Sequence, residues 1–176
     1  MWRAIQLFFF RRALQQLNLP LRTGKLRNLA ELQSIGILFD ARSEEQVRQI
    51  RLTAATLQKQ GKNVSLLGFI PKLPKEVSLD FPFFSSKDVS FIQIPGGEKV
   101  NQFIQTPFDL LIVTPSIDAL PFQYIAACST ASLKTGVYGT IPEETLDFMI
   151  KQNADDPVRT FLDRLLSFLQ QIECHA

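Results

Sequence analysis

Two short polar segments carry side chains that could bind a small ligand, because they combine carboxylates, a guanidinium group and hydroxyls. Each segment directly follows a nearly continuous apolar run. The candidate ligand residues are Asp40, Arg42, Ser43, Thr114, Ser116 and Asp118. If the two runs are neighbouring strands of a parallel sheet, these side chains share one crevice. The same residue types are also typical of helix caps and turns, so a purely structural role is the alternative.

The segment Phe39-Asp40-Ala41-Arg42-Ser43 lacks the chemistry of a standard nucleotide loop. A dinucleotide site needs glycines here for backbone contact with the pyrophosphate, and a P-loop also needs a lysine. The nearest glycine, Gly36, lies inside the apolar run, where we expect a helix to pack closely. Gly96-Gly97 could hold an anion through backbone amides, although a plain turn is the simpler interpretation. We therefore predict no cofactor and only weak binding of NAD or ATP.

No catalytic or metal-binding constellation is evident from the sequence. The single histidine, His175, lies near the terminus, so a Ser-His-Asp arrangement cannot form. Cys174 and His175 provide too few ligands for a metal site. Two cysteines do not make a disulfide framework, and Cys128 lies in an apolar helical stretch where it would pack as a small side chain. We predict no catalytic residue and no metal.

The N-terminus combines bulky aromatic residues with arginines, a pattern that could bind a surface. The residues of this candidate interaction arm are Trp2, Arg3, Phe8, Phe9, Phe10, Arg11 and Arg12. The arm could lie on an anionic membrane, enter a groove of a protein partner, or pack on its own sheet. Successive helical residues are about 100° apart, so the three consecutive phenylalanines cannot all face one sheet. At least one of the rings should be exposed or covered by a partner.

The two apolar runs, 34–40 and 109–114, predict strands that are buried on both faces. Such strands are typical of parallel sheets covered by helices. We therefore predict a three-layer α/β domain, Rossmann-like or flavodoxin-like, with about five mostly parallel strands and an N-terminal helical arm. The strand 34–40 is expected to lie beside the strand 109–114.

The remaining elements follow from periodicity and from breaker residues. A third strand could lie at 81–84 or at 90–94, and we favour the second position. The segment 146–150 could be an edge strand or a helical turn. Asp155 or Asp156 should cap the last helix, with Pro157 in its first turn. The other predicted elements are helices over 2–17, 43–61, 98–105 and 121–129, and strands over 64–70 and 135–138.

The charge distribution divides the chain into two parts. Residues 1–33 carry six cationic residues against Glu31, a net charge of +5, so the other residues sum to −3 of the total of +2. We predict a basic amphipathic arm over 1–33 and a single α/β domain over 34–176. With an acidic body and no RNA-binding motif, nucleic acid is not favoured as a partner. The sequence shows neither a signal peptide nor a membrane span, so the expected location is cytoplasmic, with possible peripheral contact at the inner face of the membrane.

Five segments resemble a family of short bacterial α/β proteins without an established activity. They are Ile-Gly-Ile-Leu-Phe-Asp (35–40), Gly-Lys-x-Val (61–64), Phe-Phe-Ser-Ser-Lys-Asp (83–88), Pro-Phe-Asp-Leu-Leu-Ile (107–112) and Tyr-Ile-Ala-Ala-Cys-Ser (124–129). Separately, 108–138 is similar to part of the N-terminal half of heptosyltransferase-like glycosyltransferases, whose nucleotide-sugar site lies mainly in a second domain. That resemblance implies an acceptor-side half without its donor half.

Two functions are consistent with these features. The first is a non-catalytic interaction or scaffolding module whose arm docks a protein partner, a second copy of the chain or an anionic membrane. The alternative is a small-molecule-binding protein or transferase-like enzyme that uses the crevice. The crevice hypothesis requires a concave cavity at the strand ends, and the arm hypothesis requires exposed apolar side chains on the arm.

Overall fold

The computed structural model describes residues 2–17, 19, 24, 26–72, 79–153 and 155–172. Its centre is a six-stranded sheet in which every neighbouring pair is parallel. The strands are β1 (Ser34–Asp40), β2 (Asn63–Ile70), β3 (Phe83–Ser85), β4 (Leu110–Val113), β5 (Leu133–Val137) and β6 (Phe148–Ile150). The order across the sheet is β3-β2-β1-β4-β5-β6. This is the Rossmann order, with its switch point between β1 and β4.

The two apolar runs form the centre of the sheet, as predicted. Ile35 pairs with Leu110 and Leu38 pairs with Val113, so β1 and β4 run side by side in register. Every residue of β4 is at most 1% exposed, and Ile35 and Ile37 are fully buried. Burial on both faces explains why these runs lack the polar alternation of a half-exposed strand.

Helices cover both faces of the sheet and complete three layers. The helices are α1 (Trp2–Gln16), α2 (Glu44–Lys59), α3 (Glu98–Gln105), α4 (Ala119–Cys128) and α5 (Val158–Gln171). Helices α2 and α5 contribute to one hydrophobic cluster with the odd-numbered residues of β1. Helices α3 and α4 contribute to the other cluster, on the Leu38 face of the same strand.

The outer strands differ from the sequence predictions. The third strand is Phe83–Ser85, within reach of the less favoured position, and the favoured position, 90–94, forms a loop. In that loop the Ser90 amide donates to Ile94 O, and Gln93 has a positive φ of 65°. Phe84 is buried against the sheet, whereas Phe91 is 58% exposed. The segment 148–150 is a sixth strand, so the sheet has one strand more than expected.

Two local predictions were wrong. The N-cap of α5 is Pro157 and not Asp155 or Asp156. This helix end has no side-chain cap hydrogen bond. The Asp156 carboxylate instead accepts from the backbone amide of Asn153, 3.3 Å away. The predicted close packing of a helix against Gly36 is also wrong. The group that packs on Gly36 is the ring of Phe108, from the loop before β4.

Helix α1 is peripheral to this layered body. Phe10 is fully buried, but it belongs to neither hydrophobic cluster. Leu29 and Leu32, from the following segment, do join the cluster under α5. The division of the chain at residue 33 stays a prediction.

Candidate functional site

The crevice lies where β1 and β4 end side by side. The Thr114 amide donates to Leu38 O across the two strands, which aligns the ends of β1 and β4. In an open α/β sheet the connections diverge to opposite faces at the switch point, which leaves a crevice above the strand ends. Asp40 ends β1 there, and Ser116 follows β4.

Asp40 is the centre of a polar network in this crevice. It is 6% exposed. One carboxylate oxygen accepts from the Ser116 hydroxyl at 2.8 Å and lies 3.0 Å from Nη2 of Arg42. The same guanidinium nitrogen lies 2.5 Å from Oδ2 of Asp118, and the guanidinium carbon lies 5.7 Å from the ring centroid of Phe69. The structure thus joins four of the six predicted residues and fixes Arg42 between two carboxylates.

The other two predicted residues lie apart from this network. Ser43 caps α2, and its hydroxyl accepts from the Gln46 amide at 3.4 Å. Thr114 is 1% exposed, and its Oγ1 has no hydrogen-bond partner among the residues the structure describes. Ser43 therefore has the structural role that was the alternative interpretation, while it also lines the cavity described next.

A cavity of about 940 Å³ opens at the crevice. Four predicted residues line it, namely Asp40, Arg42, Ser43 and Ser116. The volume is at the upper end of the range for small-molecule sites. Ligand binding in this cavity stays a prediction.

Sequence reasoning missed the opposite wall of the cavity. It is formed by residues after β5, including Tyr138 and Thr140, and by residues 152–153 and 156–158 at the entry to α5. One signal was present, because 135–138 was predicted as a strand and the residues after a parallel strand belong at the same edge of the sheet. The segment before α5 shows no periodicity that would have placed it there.

The cavity is lined by more carboxylates than cations. Among the described lining residues the carboxylates are Asp40, Glu45 and Asp156 and the cation is Arg42, while Arg48 donates to both carboxylate oxygens of Glu45. Hydrogen bonds from Arg48 and then from Gln49 lower the pKa of Glu45 to about 2, so this group is ionised at neutral pH. A ligand with negative charge at this end would meet repulsion that Arg42, already paired twice, cannot offset.

The arm exposes most of its aromatic side chains. Trp2 is 71%, Phe8 60% and Phe9 47% exposed, whereas Phe10 is buried, so the prediction that the three rings cannot share one face is confirmed. The Trp2 ring packs edge-on against Phe91 at a centroid distance of 5.8 Å, and Gln6 donates to Phe91 O at 3.0 Å.

The arginines of the arm are Arg3, Arg11 and Arg12. All three are exposed and form no salt bridge with any residue that the structure describes. Exposed rings and exposed cations therefore occur together on α1.

A family profile matches residues 7–172, which is nearly the whole chain. The chain belongs to DUF6913, a family of unknown function. No curated protein and no solved structure matches it. The similarity of 108–138 to heptosyltransferase-like enzymes and the bacterial origin therefore gain no support from these comparisons.

The described part of the DUF6913 chain contains no group of three or more metal-binding side chains. Cys174 and His175 lie outside the described residues. Burial raises the pKa of the Cys128 thiol, which Tyr124 and Lys134 only partly counteract, so this cysteine is a poor nucleophile. None of the helices in the described ranges has the length and hydropathy needed to cross a membrane.

Proposed function

We propose that the DUF6913 chain binds a small polar molecule in the crevice at the ends of β1, β4 and β5. The single observation that carries this proposal is a cavity of about 940 Å³ at the switch point, lined by Asp40, Arg42 and Ser116. The switch point is where open α/β sheets hold their ligands. The buried Asp40 network supports it further, because a fixed carboxylate and hydroxyl provide orientation inside an otherwise open cavity.

A fragment titration monitored by amide chemical shifts tests this proposal. A chemically mixed set of small polar and apolar fragments is added to the labelled full chain. We expect the shifts of binding fragments to converge on Ser116, Ile117, Gly139 and Thr140, which line the cavity. Shifts scattered over the surface, or none at all, would contradict a binding function at this site.

A charge variant gives the matched control. Asp40→Asn keeps the size of the side chain but removes the charge that holds Arg42, so fragment affinities in the cavity should change several-fold. Asp163→Asn, on the exposed face of α5 and outside the cavity, should leave them unchanged. Equal effects of the two substitutions would argue against the crevice.

The exposed arm supports a second function, peripheral docking on an anionic membrane surface. Trp2, Phe8 and Phe9 can enter the interfacial region, while Arg11 and Arg12 attract anionic headgroups. The exposed arginines favour a lipid surface over a second copy of the chain, because two copies of α1 would bring like charges together. The scaffolding role and the location at the membrane periphery both rest on this docking.

Co-sedimentation with vesicles tests the arm. The full chain should sediment with phosphatidylglycerol vesicles and not with phosphatidylcholine vesicles, and added salt should release it. Each basic residue near an anionic surface contributes about 1 kcal/mol, so Arg11→Gln with Arg12→Gln should weaken binding at least tenfold. The control pair Arg48→Gln with Arg51→Gln removes the same charge from α2. If both pairs weaken binding equally, or the wild type ignores both vesicles, docking through the arm is wrong.

A further inference from the structure

A second, smaller cavity of about 360 Å³ adjoins the crevice and has the opposite charge. Its lining includes Lys151 and Arg164 but no carboxylate. The two cavities share Tyr138, Gln152 and Asn153 as lining residues, so they adjoin each other across these three side chains.

The cations of the smaller cavity are only loosely engaged. Nη1 of Arg164 lies 3.9 Å from Oδ2 of Asp156 and donates to Lys151 O at 3.4 Å. Nζ of Lys151 lies 5.6 Å from the Tyr138 ring centroid, and no carboxylate within the described ranges forms a salt bridge with it. Both groups can therefore turn toward an anion without breaking a close ion pair.

Gln152 stands between the two cavities with one unsatisfied atom. Its amide nitrogen donates to Asp156 O at 2.8 Å and to Pro157 O at 3.1 Å, and these two acceptors fix which end of the amide is nitrogen. The amide oxygen is buried and accepts no hydrogen bond from any described residue. A buried acceptor without a donor is unusual, and a small shift of the Gln152 side chain would present this oxygen to a hydroxyl or amine of a ligand.

We propose that the two cavities form one bipolar site for a small zwitterionic polyol. Its ammonium group lies toward Asp40 and Asp156, its hydroxyls lie near Gln152, and its single phosphate or carboxylate lies between Lys151 and Arg164. This inference rests on the proposed ligand-binding function and adds the class of ligand. It also orients the ligand, because each cavity repels the group that the other attracts.

Calorimetry with four related probes tests the ligand class. Glucosamine-6-phosphate carries all three features, glucosamine lacks the anion, glucose-6-phosphate lacks the cation, and inorganic phosphate lacks both the cation and the hydroxyls. Charge-assisted hydrogen bonds contribute about 1.5–3 kcal/mol. Glucosamine-6-phosphate should therefore bind the full chain at least tenfold more tightly than each of the other three.

Matched variants locate the two ends. Arg164→Gln should weaken glucosamine-6-phosphate about tenfold and leave glucosamine unchanged, whereas Arg159→Gln, on the same helix but outside both cavities, should change neither. Asp40→Asn should weaken both amino sugars about threefold, with Asp163→Asn on the exposed face of α5 as its control. Amide chemical shifts of each variant verify that it is folded.

The outcomes separate this inference from the function on which it rests. If glucosamine binds in the cavity as tightly as its phosphate, and Arg164→Gln has no effect, the bipolar assignment is wrong while ligand binding stands. If the fragment set binds in the cavity but none of the four probes does, the ligand class is wrong. If neither fragments nor probes shift any amide of the cavity, both proposals are overturned.

Discussion

Two aspartates form hydrogen bonds between the central strands β1 and β4, one at the carboxyl ends of these strands and one at their amino ends. Asp40, at the carboxyl edge, bonds Ser116 after β4. Asp109, at the amino edge, accepts from the amides of Gln33 and Ser34 at 2.9 and 3.0 Å and from Arg27 at 3.0 Å. The two residues have the same chemistry, but Asp40 lines the cavity at the crevice whereas Asp109 joins two strand starts, and this difference in role was not evident from residue type.

Asp109→Asn should destabilise the fold in a pH-dependent way. Burial alone would raise the pKa of Asp109, but hydrogen bonds from Ser34, Gln33 and Arg27 outweigh it and hold the pKa below its ordinary value of 3.8. The folded state thus binds the proton less readily than the unfolded state, so the stabilisation is complete above 3.8 and is lost as the pH falls through the folded pKa. We expect a loss of about 1–3 kcal/mol in urea unfolding at pH 7.

Asp163→Asn is the control for this prediction, because Asp163 forms an exposed pair with Arg159 on α5. It should cost at most about 0.5 kcal/mol. The deficit of Asp109→Asn relative to the wild type should narrow as the pH falls below 3.8. If the loss of unfolding free energy does not depend on pH, the charge of the Asp109 carboxylate does not stabilise the start of β1.

At the scale of elements, the long central strands could be predicted because each is a continuous run of apolar residues. The short outer strands contain no such run, so their positions could not be predicted. Strands β3 and β6 have three residues each, too few for a pattern to develop, and their position depends on pairing with β2 and β5. The packing partner of Gly36 could not be predicted either, because it is the ring of Phe108 from a loop and not a helix. A sequence records that Gly36 is small but not which group approaches it.

Gly36→Ala should destabilise the protein through this contact. An added Cβ would lie 2.7 Å from two carbons of the Phe108 ring, which is itself buried. Overpacking of this kind costs about 1–3 kcal/mol. Gly96→Ala is the control, because the nearest atom to its added Cβ is 3.9 Å away. Equal unfolding free energies for the two variants would show that the Phe108 ring moves aside without cost.

The connection from β1 to α2 should reject NAD and ATP. Both amides that directly follow β1 are already used, since Ala41 N donates to Phe69 O at 2.9 Å and Arg42 N donates to Asp40 Oδ1 at 3.1 Å. The Asp40 carboxylate also lies where a pyrophosphate would approach the strand end, and like charges repel there. Calorimetry should detect no saturable binding of either nucleotide at micromolar concentrations. Micromolar affinity would revive an enzyme hypothesis based on nucleotide chemistry.

For the candidate site, the sequence predicted the residues after β1 and β4 but not those on the opposite side of the cavity. Asp40, Arg42, Ser116 and Asp118 follow the two strongest strand signals, so the switch-point rule brought them together. Lys151 and Gln152 follow a three-residue edge strand in a segment without a periodic pattern, and their place beside the crevice depends on the complete strand order. The pair of oppositely charged cavities was therefore beyond what the sequence could predict.

At the scale of the whole molecule, a layered body carries a helix that adds nothing to its two clusters. The body buries its apolar residues on both faces of the sheet, whereas α1 exposes Trp2, Phe8 and Phe9. The charge divides in the same way, because residues 1–33 are basic while the remaining chain is acidic. An acidic body and a basic arm would orient the molecule on an anionic surface with the arm toward the lipid.

Removal of residues 1–12 should separate the two parts functionally. The sheet and its clusters are formed by residues outside this segment, so amide spectra of the truncated chain should retain the dispersion of a folded α/β protein. Sedimentation with phosphatidylglycerol vesicles should be lost. If the truncated chain unfolds, the burial of Phe10 is essential and α1 is part of the body.

The parallel pairing of β1 has a consequence for how the chain reaches this fold. Ile35 pairs with Val64 on one side and with Leu110 on the other, so one partner is near in the chain and the other distant. Contacts between distant segments form more slowly. During refolding, β1 therefore spends time with one apolar edge open to other chains, and the yield should fall as protein concentration rises. In the complete sheet the two edge strands are β3 and β6, which have three residues each and offer little to a neighbouring molecule.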